Sequence, residues 1–314
     1  MRYGFGIDVG GTLVKLAYFN ENGELLEKWE IPTDTSDGGK NILKDIAREV
    51  KHFLRTRRIP ETDILGIGIG VPGQANRQGV ASNCANLGWG VVNVGEDLQE
   101  FTGFPVKVGN DANLATLGEC WKGGGKGRQN IVMTTLGTGV GGGIVVDGRI
   151  INGAHGVGGE LGHLVLNREE TEACTCGKYG CVEQYCSATG IVRTALRHLN
   201  RSVSPSSLRD IPNLTCKDVF DAGAAGDAVA AEILEQVYLQ LAEYISDVCC
   251  VIDPEVVVIG GGVSKAGQPL IDGIWRHMHK YLFHAISGVE LVLAQLGNDA
   301  GAYGAFKLIL DAQS

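Results

Sequence analysis

No stretch of this chain approaches the roughly 18 uninterrupted apolar residues that a membrane-crossing helix requires, so no bilayer span is expected. Positive charge is also in short supply. Lys and Arg number 27 against 36 Asp and Glu, and the net charge of −9 leaves no electrostatic footprint for nucleic acid. Low-complexity segments are missing. The opening MRYGFGIDVGG lacks the apolar core and cleavage pattern of a signal peptide and enters a strand directly, so a cytoplasmic location is expected. Apolar residues make up 44% of the chain, near the globular average, which argues against disorder.

Glycine is abundant instead, with 47 residues against a usual share of about 7%. The glycines cluster in short loops after apolar runs, as tight backbone turns demand. Nine cysteines in a reducing compartment are not expected to form a disulfide framework. A length of 314 residues suffices for two domains of ordinary size.

The first thirty residues read as strand, glycine turn, strand, turn and strand: YGFGIDV, GGT, LVKLAYF, NENG, LLEKWEI. A helix fits 39–57, with Ile42, Ile46, Val50, Phe53 and Leu54 on one stripe. ILGIGIGVPG reads as a buried strand, and a helix opens near Asn110 or Asp111. The same grammar restarts in NIVMTTLGTGVGGGIVVDGRIING, and PEVVVIGGGVS gives another buried strand. A polar loop is expected over 201–213, a long apolar helix over 227–251, and a further helix in GNDAGAYGAFKLIL. Two halves on one plan predict two α/β domains facing a cleft.

Asp8-Val9-Gly10-Gly11-Thr12 falls in a turn whose converging N–H groups suit anionic oxygens, with Thr12 adding a hydroxyl. Asp8, ending a buried strand, is placed to hold a hydrated Mg²⁺. Lys15 either reaches a phosphate or flanks the strand. A plain hairpin turn would need the same glycines. Gly137, Thr138 and Gly139 repeat the device in the second half, and two such loops suit a nucleotide with several phosphates. Neither is a Walker loop, since no G-K-[ST] is present and no helix follows. Gly261 and Gly262, after VVVI, are candidates for close approach of adenine and ribose.

Asp111 in GNDAN has two readings. It is an N-cap, or the carboxylate that orients an alcohol and takes its proton in phosphoryl transfer. Asp299, in the second GND triplet, is expected only to cap. Cys174, Cys176 and Cys181, with His163 eleven residues before the first, have the count and spacing of a closed Cys₃His structural zinc site. A disulfide would leave one thiol unmatched, and three inert buried thiols are the remaining alternative. Such a clasp would fix Glu160, His163 and Glu183, residues able to hydrogen-bond a polyhydroxyl ligand.

DVGGT, GVPG, GNDAN, LGTGVGGG, GELGH, CTCGKYGCVE and VVIGGG, in this order, resemble the ROK family (repressor, open reading frame, kinase) within the actin-like, ribonuclease-H-like ATPases. Through CTCGKYGCVEQYCSATGIVR the chain is most similar to the family's bacterial glucokinases. The resemblance implies ATP-dependent phosphorylation of glucose at O6 with Mg²⁺ and a structural Zn²⁺, in a homodimer or homotetramer. It implies Asp111 as base, sugar contacts from Asn86, Asn110, Glu160, His163 and Glu183, and phosphate contacts from Gly11, Thr12, Gly137, Thr138 and Gly139. It makes His163, Cys174, Cys176 and Cys181 the zinc ligands and brings the helix 299–311 back onto the first domain, which implies a small α/β domain over 1–111, joined by 299–314, and a large one over 112–298. Kinases for fructose, N-acetylglucosamine or N-acetylmannosamine share these residues and stay open. A sugar-sensing repressor is disfavoured: the first strand begins at Tyr3, leaving no room for a preceding helix-turn-helix.

Overall fold

Alternation of glycine with large apolar residues sets the first sheet. A computed structural model of the chain describes residues 1–313. The strands β1 (Tyr3–Val9), β2 (Leu13–Asn20), β3 (Leu25–Pro32), β4 (Ile64–Val71) and β5 (Val106–Asn110) form one sheet in the order β3-β2-β1-β4-β5. The first three pair antiparallel, while β4 runs parallel to both β1 and β5. Phe5, Ile7, Ile67 and Ile69 are fully buried on one face. Helix α1 (Ile42–Arg57) covers that face with Ile42, Ile46, Val50, Phe53 and Leu54. Each such side chain contributes about 1.5–3 kcal/mol by leaving water.

The opposite face belongs to glycine. A Cβ on Gly6 would lie 2.0 Å from the carbonyl oxygen of Ala302, and one on Gly68 would lie 1.7 Å from that of Ala305. The final helix (Ala300–Asp311) therefore rests its backbone directly on β1 and β4. It answers with small residues of its own. A Cβ on Gly304 would meet the Leu114 carbonyl oxygen at 1.7 Å, which brings α3 (Asp111–Lys122) against it. The intervening helix α2 is Val94–Thr102.

The chain divides into two compact units. Unit 1 comprises Met1–Gly127, Gly143–Gly159 and the chain from Leu296 on; unit 2 comprises Arg128–Gly142 and Glu160–Gln295. This differs from the expected division at residue 111. Helix α3 packs closely on the final helix, so it stays with unit 1, as does the segment 143–159. Ser314, the last residue of the expected returning segment, lies outside the described residues.

In unit 2, β6 (Ile131–Leu136) lies between β7 (Val140–Val146), which begins in this unit, and β8 (Val256–Gly260). β8 pairs parallel with β6 and with β9 (Glu290–Leu293). Helices α4 (Ala188–Arg201), α5 (Cys216–Ala224), α6 (Ala228–Ile252) and α7 (Gln268–Met278) belong to this unit. Within 201–213 a short 3₁₀ turn, Ser207–Asp210, interrupts the expected loop, because Leu208 is buried and Asp227 binds both Ser206 and Ser207. Among the described residues no helix is long and apolar enough to cross a membrane.

The glycine contacts set a test. Gly304→Ala is expected to lower unfolding stability by about 1–3 kcal/mol, as overpacking does. Gly90→Ala, whose added carbon meets nothing within 4 Å, should leave the urea midpoint unchanged.

Candidate functional site

In unit 1 the parallel strands end side by side, with Asp8 opposite Gly70 and Val71 opposite Asn110. Such carboxyl-terminal edges are where open α/β sheets place ligands. Asn110 keeps an extended backbone, and its Oδ1 accepts the Asn113 N–H at 3.0 Å, so Asn110 rather than Asp111 caps α3. The Asn110 amide donates to the Gly73 carbonyl at 3.1 Å and to Asp111 Oδ1 at 3.0 Å. The Ala112 N–H donates to the same Asp111 oxygen at 2.8 Å. Two donors on one oxygen fix the carboxylate's rotamer. Cys84 packs beside Gly73, and burial, reinforced by the charge of Asp111, pushes its thiol pKa up.

The first glycine turn is closed by the Gly10 N–H donating to Leu13 O, and by Thr33, which donates its hydroxyl to Gly10 O and its N–H to Thr12 O. Gly11 and Thr12 are exposed at its tip. A Cβ on Gly11 would sit 3.3 Å from that of Asn86, so the structure does bring this turn to Asn86. Asp8 is buried enough that desolvation raises its carboxyl pKa, against the pull of Lys15. Lys15 Nζ lies 3.6 Å from Asp8 and 3.4 Å from the Asn298 carbonyl, in the strand-flanking position. Asp299 does not cap. Its backbone is helical (φ −92°, ψ −12°), and its carboxylate pairs with Lys28 at 2.7 Å.

In unit 2 the ligand atoms of His163, Cys174, Cys176 and Cys181 all lie within 4.8 Å of one another. His163 Nδ1 is 3.9 Å from Cys174 Sγ, and Cys176 Sγ is 3.6 Å from Cys181 Sγ. A tetrahedron with metal–sulfur bonds of about 2.3 Å has edges of about 3.8 Å, so the cluster has the size to hold such an ion. None of the nine cysteines, all among the described residues, forms a disulfide. Gly180 (φ +74°) allows the return of the loop, since a Cβ there would lie 1.7 Å from Asn167 O. Lys178 donates to the His163 carbonyl at 2.8 Å, binding the loop's exposed turn to the histidine's own backbone.

Glu183 joins this cluster to the second glycine loop. One oxygen accepts the Thr175 hydroxyl at 3.0 Å, and the other accepts the Val140 N–H at 3.0 Å. A Cβ on Gly139 would collide with that second oxygen at 2.3 Å. Glu160 is exposed, one residue before the turn Leu161–His163.

Gly137 O accepts the Ala188 N–H and Thr138 O accepts the Thr189 hydroxyl, both at 2.7 Å. Gly261 (φ +82°) lies against Leu136 O. A cavity of about 370 Å³ opens beside Gly262, with Phe220, Val263 and Ala188 as apolar walls and Lys217, Asp221 and Lys265 at its edge. The sequence reading missed α5 as a contributor to this cavity, because CKDVFDAGA carries no glycine or phosphate-loop signature. It also missed Glu170, which is buried and accepts from Tyr185, Arg193 and Arg197. Hydrogen bonds from Arg197 outweigh burial and hold its carboxyl well below the ordinary range.

These units carry the two-domain actin-like, ribonuclease-H-like α/β fold. Residues 4–312 match the model of the ROK family. The chain belongs to the ROK family. A glucokinase of Halalkalibacterium halodurans is 42% identical over 308 residues, covering 96% of this chain and 93% of the relative. A ROK family glucokinase from Streptomyces griseus, solved in complex with glucose and AMPPNP, has a TM-score of 0.74 at 28% identity over 98% of each chain. A ROK family transcriptional regulator, a homologue of the E. coli MLC protein, has a TM-score of 0.86 at 27% identity, covering 99% of this chain and 78% of the other.

Glu170 generates a pH test. A depressed carboxyl pKa contributes stability that is complete above the unfolded value and lost as pH falls toward the folded one. Wild type should therefore lose urea stability relative to Glu170→Gln progressively below about pH 4.5. Parallel curves from pH 6 to pH 3 would contradict the assignment.

Proposed function

We propose that this protein transfers the γ-phosphoryl group of ATP to O6 of glucose, with Asp111 as the base. The observation that carries the reading is the Asp111 carboxylate, oriented through one oxygen by Asn110 and Ala112 at the carboxyl edge of the unit 1 sheet. Asp111 accepts the O6 proton while that oxygen forms its bond to the γ-phosphorus. The bond from phosphorus to the β,γ-bridging oxygen breaks, and ADP leaves with that electron pair. Asn86, Asn110, Glu160, His163 and Glu183 hydrogen-bond the sugar hydroxyls.

Backbone N–H groups of Gly11 and Gly139, with the hydroxyls of Thr12 and Thr138, hold the phosphates, while the N–H groups of Gly10 and Gly137 close the two turns on Leu13 O and Gly139 O. Burial raises the Asp8 carboxyl pKa, and Lys15 opposes that rise. The cavity beside Gly261 and Gly262 takes the adenine and ribose. Asp8 would hold a hydrated Mg²⁺, which supplies charge neutralisation on the phosphates. His163, Cys174, Cys176 and Cys181 would hold Zn²⁺ in a closed, purely structural site. The protein acts in the cytoplasm as a homodimer or homotetramer, a state that sedimentation reads directly.

A coupled ADP-release assay across glucose, mannose, fructose, N-acetylglucosamine and N-acetylmannosamine is expected to give glucose the highest kcat/KM. No turnover of any sugar, with sugar still bound, would instead mark a sensor. Asp111→Asn should lower kcat by two to four orders of magnitude, as removal of a general base does, and keep glucose affinity within a few-fold. Turnover comparable to wild type would end the assignment.

Metal analysis should find about one zinc per chain, and Cys176→Ser should lower zinc content and glucose affinity together. Loss of zinc with unchanged glucose binding would sink the clasp.

A further inference from the structure

Glu119 is fully buried in α3, yet no step of the proposed reaction uses it. Its Oε2 accepts the Gly124 N–H at 2.7 Å, and its Oε1 accepts the Leu296 N–H at 2.7 Å. Its own carbonyl oxygen accepts from Gly123 and Gly125, so one residue closes the whole glycine turn after α3. The turn has no room for anything larger: a Cβ on Gly123 would lie 1.9 Å from Oε2.

Both anchored amides stand at special points of the chain. Gly124 lies just before the chain leaves unit 1 after Gly127, and Leu296 is the first residue on its final return from Gln295. Leu296 is also four residues ahead of the final helix, on which α3 packs. Asp111 begins the same helix as Glu119, about 12 Å away along a rigid rod.

We propose that Glu119 is a positioning residue for phosphoryl transfer. Its carboxylate fastens the first and last of the four chain crossings between the units, the exit after Gly127 and the re-entry at Leu296, to the helix that starts at Asp111. The proposal rests on the sugar-kinase reading for its effect on turnover. Its effect on the anchored amides is independent of that reading. A carboxylate suits the task because both of its oxygens accept, and a charge-assisted acceptor holds an N–H more strongly than a neutral one. An amide of equal size offers one acceptor, so one of the two N–H groups would face a donor.

The experiment compares wild type with Glu119→Gln by steady-state kinetics, on whichever sugar wild type phosphorylates fastest, and by amide hydrogen exchange. In wild type, the amides of Gly124 and Leu296 are expected to exchange slowly. In the variant, exchange at one or both should quicken at least tenfold and kcat should fall at least tenfold. The sugar dissociation constant should stay within threefold, since Asn86, Glu160, His163 and Glu183 lie outside α3. Gly123→Ala, which displaces the carboxylate without removing it, should give the same pattern and serves where Glu119→Gln does not fold.

Fast exchange of both amides in wild type overturns the anchoring. Quickened exchange with wild-type kcat and a lowered Tm assigns Glu119 to stability alone and overturns the positioning role. If wild type phosphorylates no sugar, the functional reading fails, while the exchange arm still decides the anchoring.

Discussion

Contact between bare backbones holds unit 1 together. The final helix reaches β1, β4 and α3 only because Gly6, Gly68, Gly118 and Gly304 present no side chain where carbonyl oxygens arrive. Close approach of this kind gains dispersion over many atoms and tolerates no added carbon. The placement of Asp111 follows, since α3 is seated by the same contacts. So does that of Asp8, whose carboxylate lies against Gly301 in the first turn of the final helix.

Carboxylates do much of the remaining fastening. Glu119 grips two backbone amides, Glu183 links a threonine hydroxyl to the start of β7, and Glu170 gathers a tyrosine and two arginines. Asp227 caps α6 through the Ala230 N–H while binding Ser206 and Ser207, and these donors lower its carboxyl pKa to about 2 despite opposing burial. In each case both oxygens, or one oxygen shared by several donors, tie segments distant in sequence. An acidic chain of this composition thus uses part of its negative charge internally.

The sequence made the local order legible. Buried strands with glycine alternation, the stripe of α1 and the cysteine spacing are short-range signals, and the structure forms a strand, a helix and a four-residue cluster at those places. Long-range choices were less readable. The allegiance of α3 depends on Gly118 and Gly304 meeting across the chain, which strand grammar does not encode. The two GND triplets look alike, yet Asn110 is extended and caps, whereas Asp299 is already helical and turns its charge to Lys28. Glu183 was found as a candidate beside the cysteines, but its bond to Val140, 43 residues away, left no trace in spacing.

The order of synthesis gives the seating of the final helix one more consequence. Strands β1 and β4 leave the ribosome early, whereas the backbone that covers their glycine face is translated after all of unit 2. The nascent sheet must therefore wait, one side packed by α1 and the other open to solvent and chaperones. Translational pausing anywhere between β4 and Ala300 would prolong that exposure.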